Sequence, residues 1–117
     1  MDARKKELYC ALFKYENGQI KRQSSDYILK PEEFAVKISE PTVFIGPGLE
    51  SYGKLLSQNL GSLFVKTTKI KNHSTAASVG LIASAQFIDK RNLDLDSLKI
   101  NYLRKPEAEI KLTERTI

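Results

Sequence analysis

Few side chains in this sequence could do chemistry. There is one histidine, His73, and one cysteine, Cys10. A structural zinc site draws four ligands largely from those two residue types, so no zinc site is expected. A magnesium site built from carboxylates would need acids converging from several elements. Asp2, Glu7, Asp26, Glu50, Asp89, Asp94 and Asp96 are available, and no spacing among them is distinctive. His73 is the only imidazole base. It sits in Lys71-Asn72-His73-Ser74-Thr75, just before a helical pattern, and reads as a loop residue beside a helix start capped by Ser74. Nothing elsewhere marks a nucleophile elbow, so no catalytic residue is assigned. Cys10 lies in an apolar run and reads as a small core residue, since a reactive thiol needs an electropositive, partly open setting.

Gly46-Pro47-Gly48 is the most informative local feature. It follows a short apolar run and precedes a helical pattern. A glycine turn at a helix N-terminus lets backbone amides approach an anion. Two glycines around a proline fall short of a phosphate-binding fingerprint, and a tight strand-to-helix connection is the plainer reading.

The elements that would position these residues follow from hydrophobic periodicity. Residues 8–15 are apolar apart from Lys14. Leu8, Cys10 and Leu12 fall on one face of a strand, and Tyr9, Ala11 and Phe13 on the other, which predicts a central strand covered on both sides. Asn17-Gly18 tolerates the positive φ angles of a tight hairpin turn. Residues 20–24 form the more exposed returning strand, and residues 27–29 a third. Lys30-Pro31-Glu32-Glu33 opens a short helix, with proline pre-set for the first position and acids opposing the positive end of the dipole. Phe34 and Ile38, four apart, face the sheet. A short buried strand is predicted over 42–45. A helix follows through Leu49, Tyr52, Leu55, Leu56 and Leu60, ended by Gly61, then a strand over 63–65. Residues 67–74 form a loop. Residues 75–87 form a helix rich in small residues, able to lie close against a sheet or another helix. Residues 92–98 read as loop, 100–104 as extended chain and 105–117 as a frayed polar tail. The prediction is thus one domain over residues 1–104 and a tail over 105–117. It is an α/β domain with a mixed sheet and helices packed on it.

Bulk properties agree with one globular domain. The chain has 117 residues, 41% hydrophobic and 28% charged, enough to bury a core without staples. A lone cysteine forms no internal disulfide, which fits a reducing compartment, and no apolar stretch is long enough to cross a bilayer. A cytoplasmic location is expected. The net charge of +5 and pI of about 9.3 make acidic partners such as tRNA plausible without identifying them. The basic residues are spread along the chain, as on an ordinary solvated surface.

The order of elements resembles a ribonuclease H-like domain, the half-unit of the actin-like ATPase superfamily. Within it, several segments resemble the C-terminal half of the TsaB family. Asp2-Ala3-Arg4 leading into Glu7-Leu8-Tyr9 is similar to that family's Asp-Ala-Arg stretch and strand. Phe44-Ile45-Gly46-Pro47-Gly48, with Tyr52 and Leu55-Leu56 after it, resembles its glycine turn and helix. Residues 76–87 fit its next helix, and Asn101-Tyr102-Leu103-Arg104 resembles its closing Pro-x-Tyr-Leu-Arg signature. The match runs in order along nearly the whole chain. There are departures: Lys6 stands where many members have glycine, Pro47 lies in a turn often written Gly-Asp-Gly, and Asn101 replaces the usual proline.

The resemblance implies a non-catalytic scaffold subunit of the bacterial machinery that makes threonylcarbamoyladenosine in tRNA. It implies TsaD and the ATPase TsaE as partners through the full-length protein, with tRNA contacted only indirectly. The family chain is about twice as long, in two similar halves, and its opening Ile-x-Asp-Thr-like strand has no counterpart here. This chain therefore reads as a fragment, lacking the half that carries the main TsaD contact and leaving an apolar face that would permit a homodimer. In that fold the matching glycine turn approaches adenosine, so Gly46 and Gly48 are the candidate cofactor-binding residues, as a degenerate turn. No cofactor, metal or membrane contact is expected. A second reading is an ATP-binding or hydrolase domain of the actin-like and glycoprotease superfamily. It would need phosphate loops in both halves and acids on Mg²⁺; a His-x-x-x-His metal site is unavailable with one histidine.

Overall fold

The computed structural model describes residues 1–68, 72–89, 96 and 99–115. Among them the architecture is mixed α/β, with three two-stranded ladders and four α-helices. Strands β1 (Leu8–Cys10), β2 (Phe13–Glu16), β3 (Gln19–Arg22) and β4 (Tyr27–Leu29) come first. β2 and β3 form a hairpin closed by Asn17 (φ 52°) and Gly18 (φ 80°), both in the left-handed region that a two-residue hairpin turn requires.

β1 and β4 pair antiparallel, Leu8 opposite Leu29 and Cys10 opposite Tyr27. The two ladders are successive parts of one ribbon. Between them Ala11 and Leu12 on one strand face four residues, 23–26, on the other. The single strand expected over 8–15 is therefore divided. The excess residues loop out, and Ser24 repairs the break. Its hydroxyl accepts the Leu12 N–H at 2.9 Å, while Gln23 N–H donates to the Leu12 carbonyl at 2.8 Å.

Helix α1 (Pro31–Val36) starts on the buried Pro31, with Glu33 accepting the Lys30 N–H at 3.0 Å. β5 (Thr42–Val43), α2 (Gly48–Leu60), a 3₁₀ turn (Gly61–Leu63) and β6 (Phe64–Val65) make a crossover unit, with β5 and β6 parallel. Gly61 ends α2 at φ 54°. One core joins these parts: Leu8, Phe34, Ala35, Ile38, Leu56 and Leu60 are buried, with Cys10, Leu12, Phe44 and Phe64 packed against them. Phe44 stacks on Phe64 and meets Phe34 edge-on. Leu8, Cys10 and Leu12 turn to this core, but the strand is not central and covered on both sides as expected: Phe13 and Tyr15 are exposed, because β2 pairs only with β3 among the described residues. Tyr9, Ala11 and Phe13 line a separate hollow with residues 101–104.

Four other expectations change. The strand at 42–45 is shorter, and Val43 and Ile45 are exposed, because among the described residues β5 has a strand neighbour on one side only. Helix α3 (Ala76–Asp89), expected to be able to lie close against a sheet or another helix, exposes Val79, Leu81, Ile82 and Phe87. Those residues are spread around the helix, so no single apolar stripe exists to seat it. Residues 100–104 form no strand. Within the stretch expected as a frayed tail lies helix α4 (Glu107–Arg115), where Pro106 and two acids, Glu107 and Glu109, supply helix-start signals within a polar composition. The loop expected at 92–98 lies almost wholly outside the described residues.

Candidate functional site

Two backbone turns meet beside the start of α2. The first is built by residues 1–9. Met1 and Tyr9 exchange both backbone hydrogen bonds, at 2.7 and 2.8 Å, and Asp2 bridges to Leu8. The chain reverses between them through Arg4, Lys5 and Lys6, at φ 61°, 52° and 61°. Three successive side-chain-bearing residues in the left-handed region cost roughly 1–2 kcal/mol each, so the surroundings must enforce the turn. Asp2 Oδ1 accepts the Arg4 N–H at 2.8 Å, Ala3 N–H donates to the Glu7 carbonyl at 2.9 Å, and Glu7 N–H donates to the Arg4 carbonyl at 3.0 Å. The Arg4 amide is also the main reason the Asp2 carboxyl is held below its ordinary pKa.

Arg104 clamps this turn from the far end of the sequence. Its guanidinium donates to the Ala3 carbonyl at 2.8 Å and pairs with the Glu7 carboxylate. Asn101 donates to Asp26 at 2.7 Å, and Asp26 pairs with Arg22. Lys5 reaches Glu107 on α4 at 2.6 Å, and that contact lowers the Glu107 pKa.

The second turn is Gly46-Pro47-Gly48, and its two glycines have different reasons. Gly46 takes φ 118°, which only glycine adopts freely, and a Cβ there would meet nothing. Gly48 is buried against the first turn. A Cβ on it would lie 3.0 Å from Leu8 Cδ2 and 3.2 Å from the Met1 backbone, so glycine there lets the start of α2 approach residues 1–8. The polar groups near this helix start are of the wrong sign for a phosphate. Glu50 lies in its first turn, 3.2 Å from His73 Nε2, and Ser51 donates to Asp2 Oδ2 at 3.1 Å. Acids at the positive end of α2 satisfy the dipole and repel an anion.

His73 is thus placed against an exposed carboxylate, that of Glu50. The cap of α3 is Thr75, whose hydroxyl accepts the Ser78 N–H at 3.2 Å, rather than Ser74. Cys10 is half-buried and burial pushes its thiol up to about 11, so it is protonated near neutral pH. No group of three metal-ligating side chains occurs among the described residues. No helix among them is long and apolar enough to cross a membrane.

Comparison with family models, curated proteins and solved structures gave no match. What remains for function is the geometry. Between the outer edge of residues 9–13 and strand β5 lies a cleft of about 310 Å³ lined almost wholly by apolar side chains, with Gly48 at one end. Sequence reading found both walls of this cleft but missed the cleft and the Arg104 clamp, which join residues far apart in the chain.

Proposed function

We propose that this chain is a scaffold domain of the TsaB type, equivalent to the C-terminal half of that family, which supports TsaD in forming threonylcarbamoyladenosine on tRNA without catalysing a step itself. One observation carries the reading. Two of the segments that resemble the family, Asp2-Ala3-Arg4 and Asn101-Tyr102-Leu103-Arg104, meet through the Arg104 hydrogen bond to Ala3 and its pair with Glu7. These two resembling segments are thus joined directly. The position of Lys6 adds support: where the family often has glycine, this residue stands at φ 61°, a conformation glycine takes without penalty. The ribonuclease H-like reading of the fold belongs to the same proposal. It is supported by a long antiparallel ribbon followed by a parallel crossover unit.

Lys6→Gly is accordingly expected to stabilise the domain by about 0.5–1 kcal/mol, the relief of left-handed strain less the added freedom of the unfolded chain. A urea titration checks it, and a loss of stability would show that the turn is not strained at Lys6.

The functional test is retention on immobilised TsaD. The chain alone is expected to pass through, and to be retained once the N-terminal half of a TsaB protein is supplied. Retention of the chain alone as tight as that of a two-lobed TsaB would move the TsaD contact to this half. Failure with both lobes present would sink the scaffold reading. Calorimetry with ATP and Mg²⁺ separates the alternative. A micromolar, stoichiometric isotherm would favour an ATP-binding domain over the acid-lined, ligand-free turn proposed here.

A further inference from the structure

We propose that the exposed aromatic face of the β2–β3 hairpin, with residues 99–104 beside it, is a stacking platform for single-stranded nucleic acid. This inference stands on the face and the charge around it, and does not rest on the TsaB reading.

The ladder register sorts the hairpin into two faces. Phe13 lies opposite Arg22 and Tyr15 opposite Ile20, so these four side chains share one face. Lys14, Glu16, Gln19 and Lys21 share the other. On the first face Phe13 is 52% exposed and Tyr15 72%. Two rings two residues apart on one strand stand about 6.7 Å apart along it. Sheets that bind single strands use this arrangement, stacking bases on exposed rings. Arg22 extends the platform. Its guanidinium lies 4.7 Å from the centre of the Phe13 ring, and its pair with Asp26 holds it beside that ring. Past Phe13 the surface continues into a hollow of about 510 Å³, where Tyr9, Phe13 and Arg22 meet Tyr102 and Arg104. Tyr102 is exposed and adds a further ring.

Charge decides between occupants, since an apolar segment of polypeptide would need only the rings. The cations are spread along the sequence, but the fold gathers their excess. Residues 1–30 hold seven lysines and arginines against four acids, and residues 99–105 hold three against none. That surplus of six exceeds the net +5 of the whole chain, so the remainder is slightly acidic. The two segments are held side by side by the bond of Asn101 to Asp26 and by those of Arg104 to Ala3 and Glu7. The exposed rings therefore lie within the positive part of the molecule. A ligand with flat bases and a phosphate at every step matches both features, the bases on the rings and the phosphates in the surrounding field.

The probe is a fluorescein-labelled strand of about ten thymidines, titrated with the full chain and followed by anisotropy. Binding is expected at roughly micromolar chain in low salt, and should weaken by about tenfold or more between about 50 and 200 mM salt as counterions are no longer released so favourably. Tyr15→Ala is expected to weaken binding by about fivefold or more, whereas Tyr15→Phe, which keeps the ring, should bind as the parent chain does. Tyr15 is exposed, so neither variant should change urea unfolding. An abasic strand of the same length keeps the phosphates without the bases. It should bind about fivefold or more weakly, and equally to the parent chain and to Tyr15→Ala. Four results would overturn the proposal. They are no binding in low salt, an abasic strand bound as tightly as the thymidine strand, full binding by Tyr15→Ala, and binding indifferent to salt, which would mark the face as a site for an apolar polypeptide instead.

Discussion

Leu56→Ala is expected to lower stability by about 3–4 kcal/mol, within the range for truncating a fully buried leucine. Leu56 is 2% exposed and sits on α2, where it joins Leu8 of the ribbon, Phe34 and Ile38 of the α1 region and Leu60 of its own helix in one cluster. The removed methyl groups lose their transfer energy. The cavity cannot collapse easily, because α2 is fixed at one end by the contact of Gly48 with Leu8 and Met1. Urea unfolding should show a lower midpoint at unchanged slope. Leu81→Ala is the control: Leu81 is 73% exposed on α3, and its loss should change stability by less than about 0.5 kcal/mol. Equal effects at the two sites would mean that α2 does not carry the core.

The sequence made legible whatever a short stretch decides by itself. Asn17-Gly18 specifies its turn through backbone freedom, and Pro31 with Glu33 specifies a helix start through local hydrogen bonding. The alternation of Leu8, Cys10 and Leu12 with Tyr9, Ala11 and Phe13 specifies two faces. The break in the ribbon was not legible, because it depends on residues 23–26 being two too many for their partners, a property of register. The exposure of β5 depends on which strand lies beside it, which no pattern within 42–45 encodes. Helix α4 was hidden by its polarity, although Pro106 and the acids after it carried the signal. At the candidate site, the spacing of Gly46 and Gly48 suggested a ligand turn. Their reasons divide between a backbone angle and a close helix approach, and Asp2, which changes the electrostatics beside them, comes from far upstream.

Arg104→Ala should cost about 1–3 kcal/mol and loosen both segments it joins. Its side chain is 23% exposed and that of Glu7 31%, so the pair is shielded enough to matter. Truncation removes two donors at once. The Ala3 carbonyl, on a residue 4% exposed, loses its acceptor bond, and the Glu7 carboxylate is left partly buried without its cation. Arg104→Lys should recover only part of the loss, since one ammonium cannot reproduce a planar fork that reaches a carbonyl and a carboxylate together. Glu7→Gln removes the charge but not the shape. The double variant should therefore be less destabilised than the sum of the singles, by about 0.5–1 kcal/mol or more. Hydrogen exchange supplies the local readout. The Ala3 and Glu7 amides, which close the left-handed turn, should exchange faster in Arg104→Ala, while amides in the β2–β3 hairpin should not change. Strict additivity of the two substitutions, or an unchanged turn, would mean that residues 101–104 merely lie on the surface. The strained turn at Arg4–Lys6 would then have to be held by Asp2 and the short backbone bonds alone.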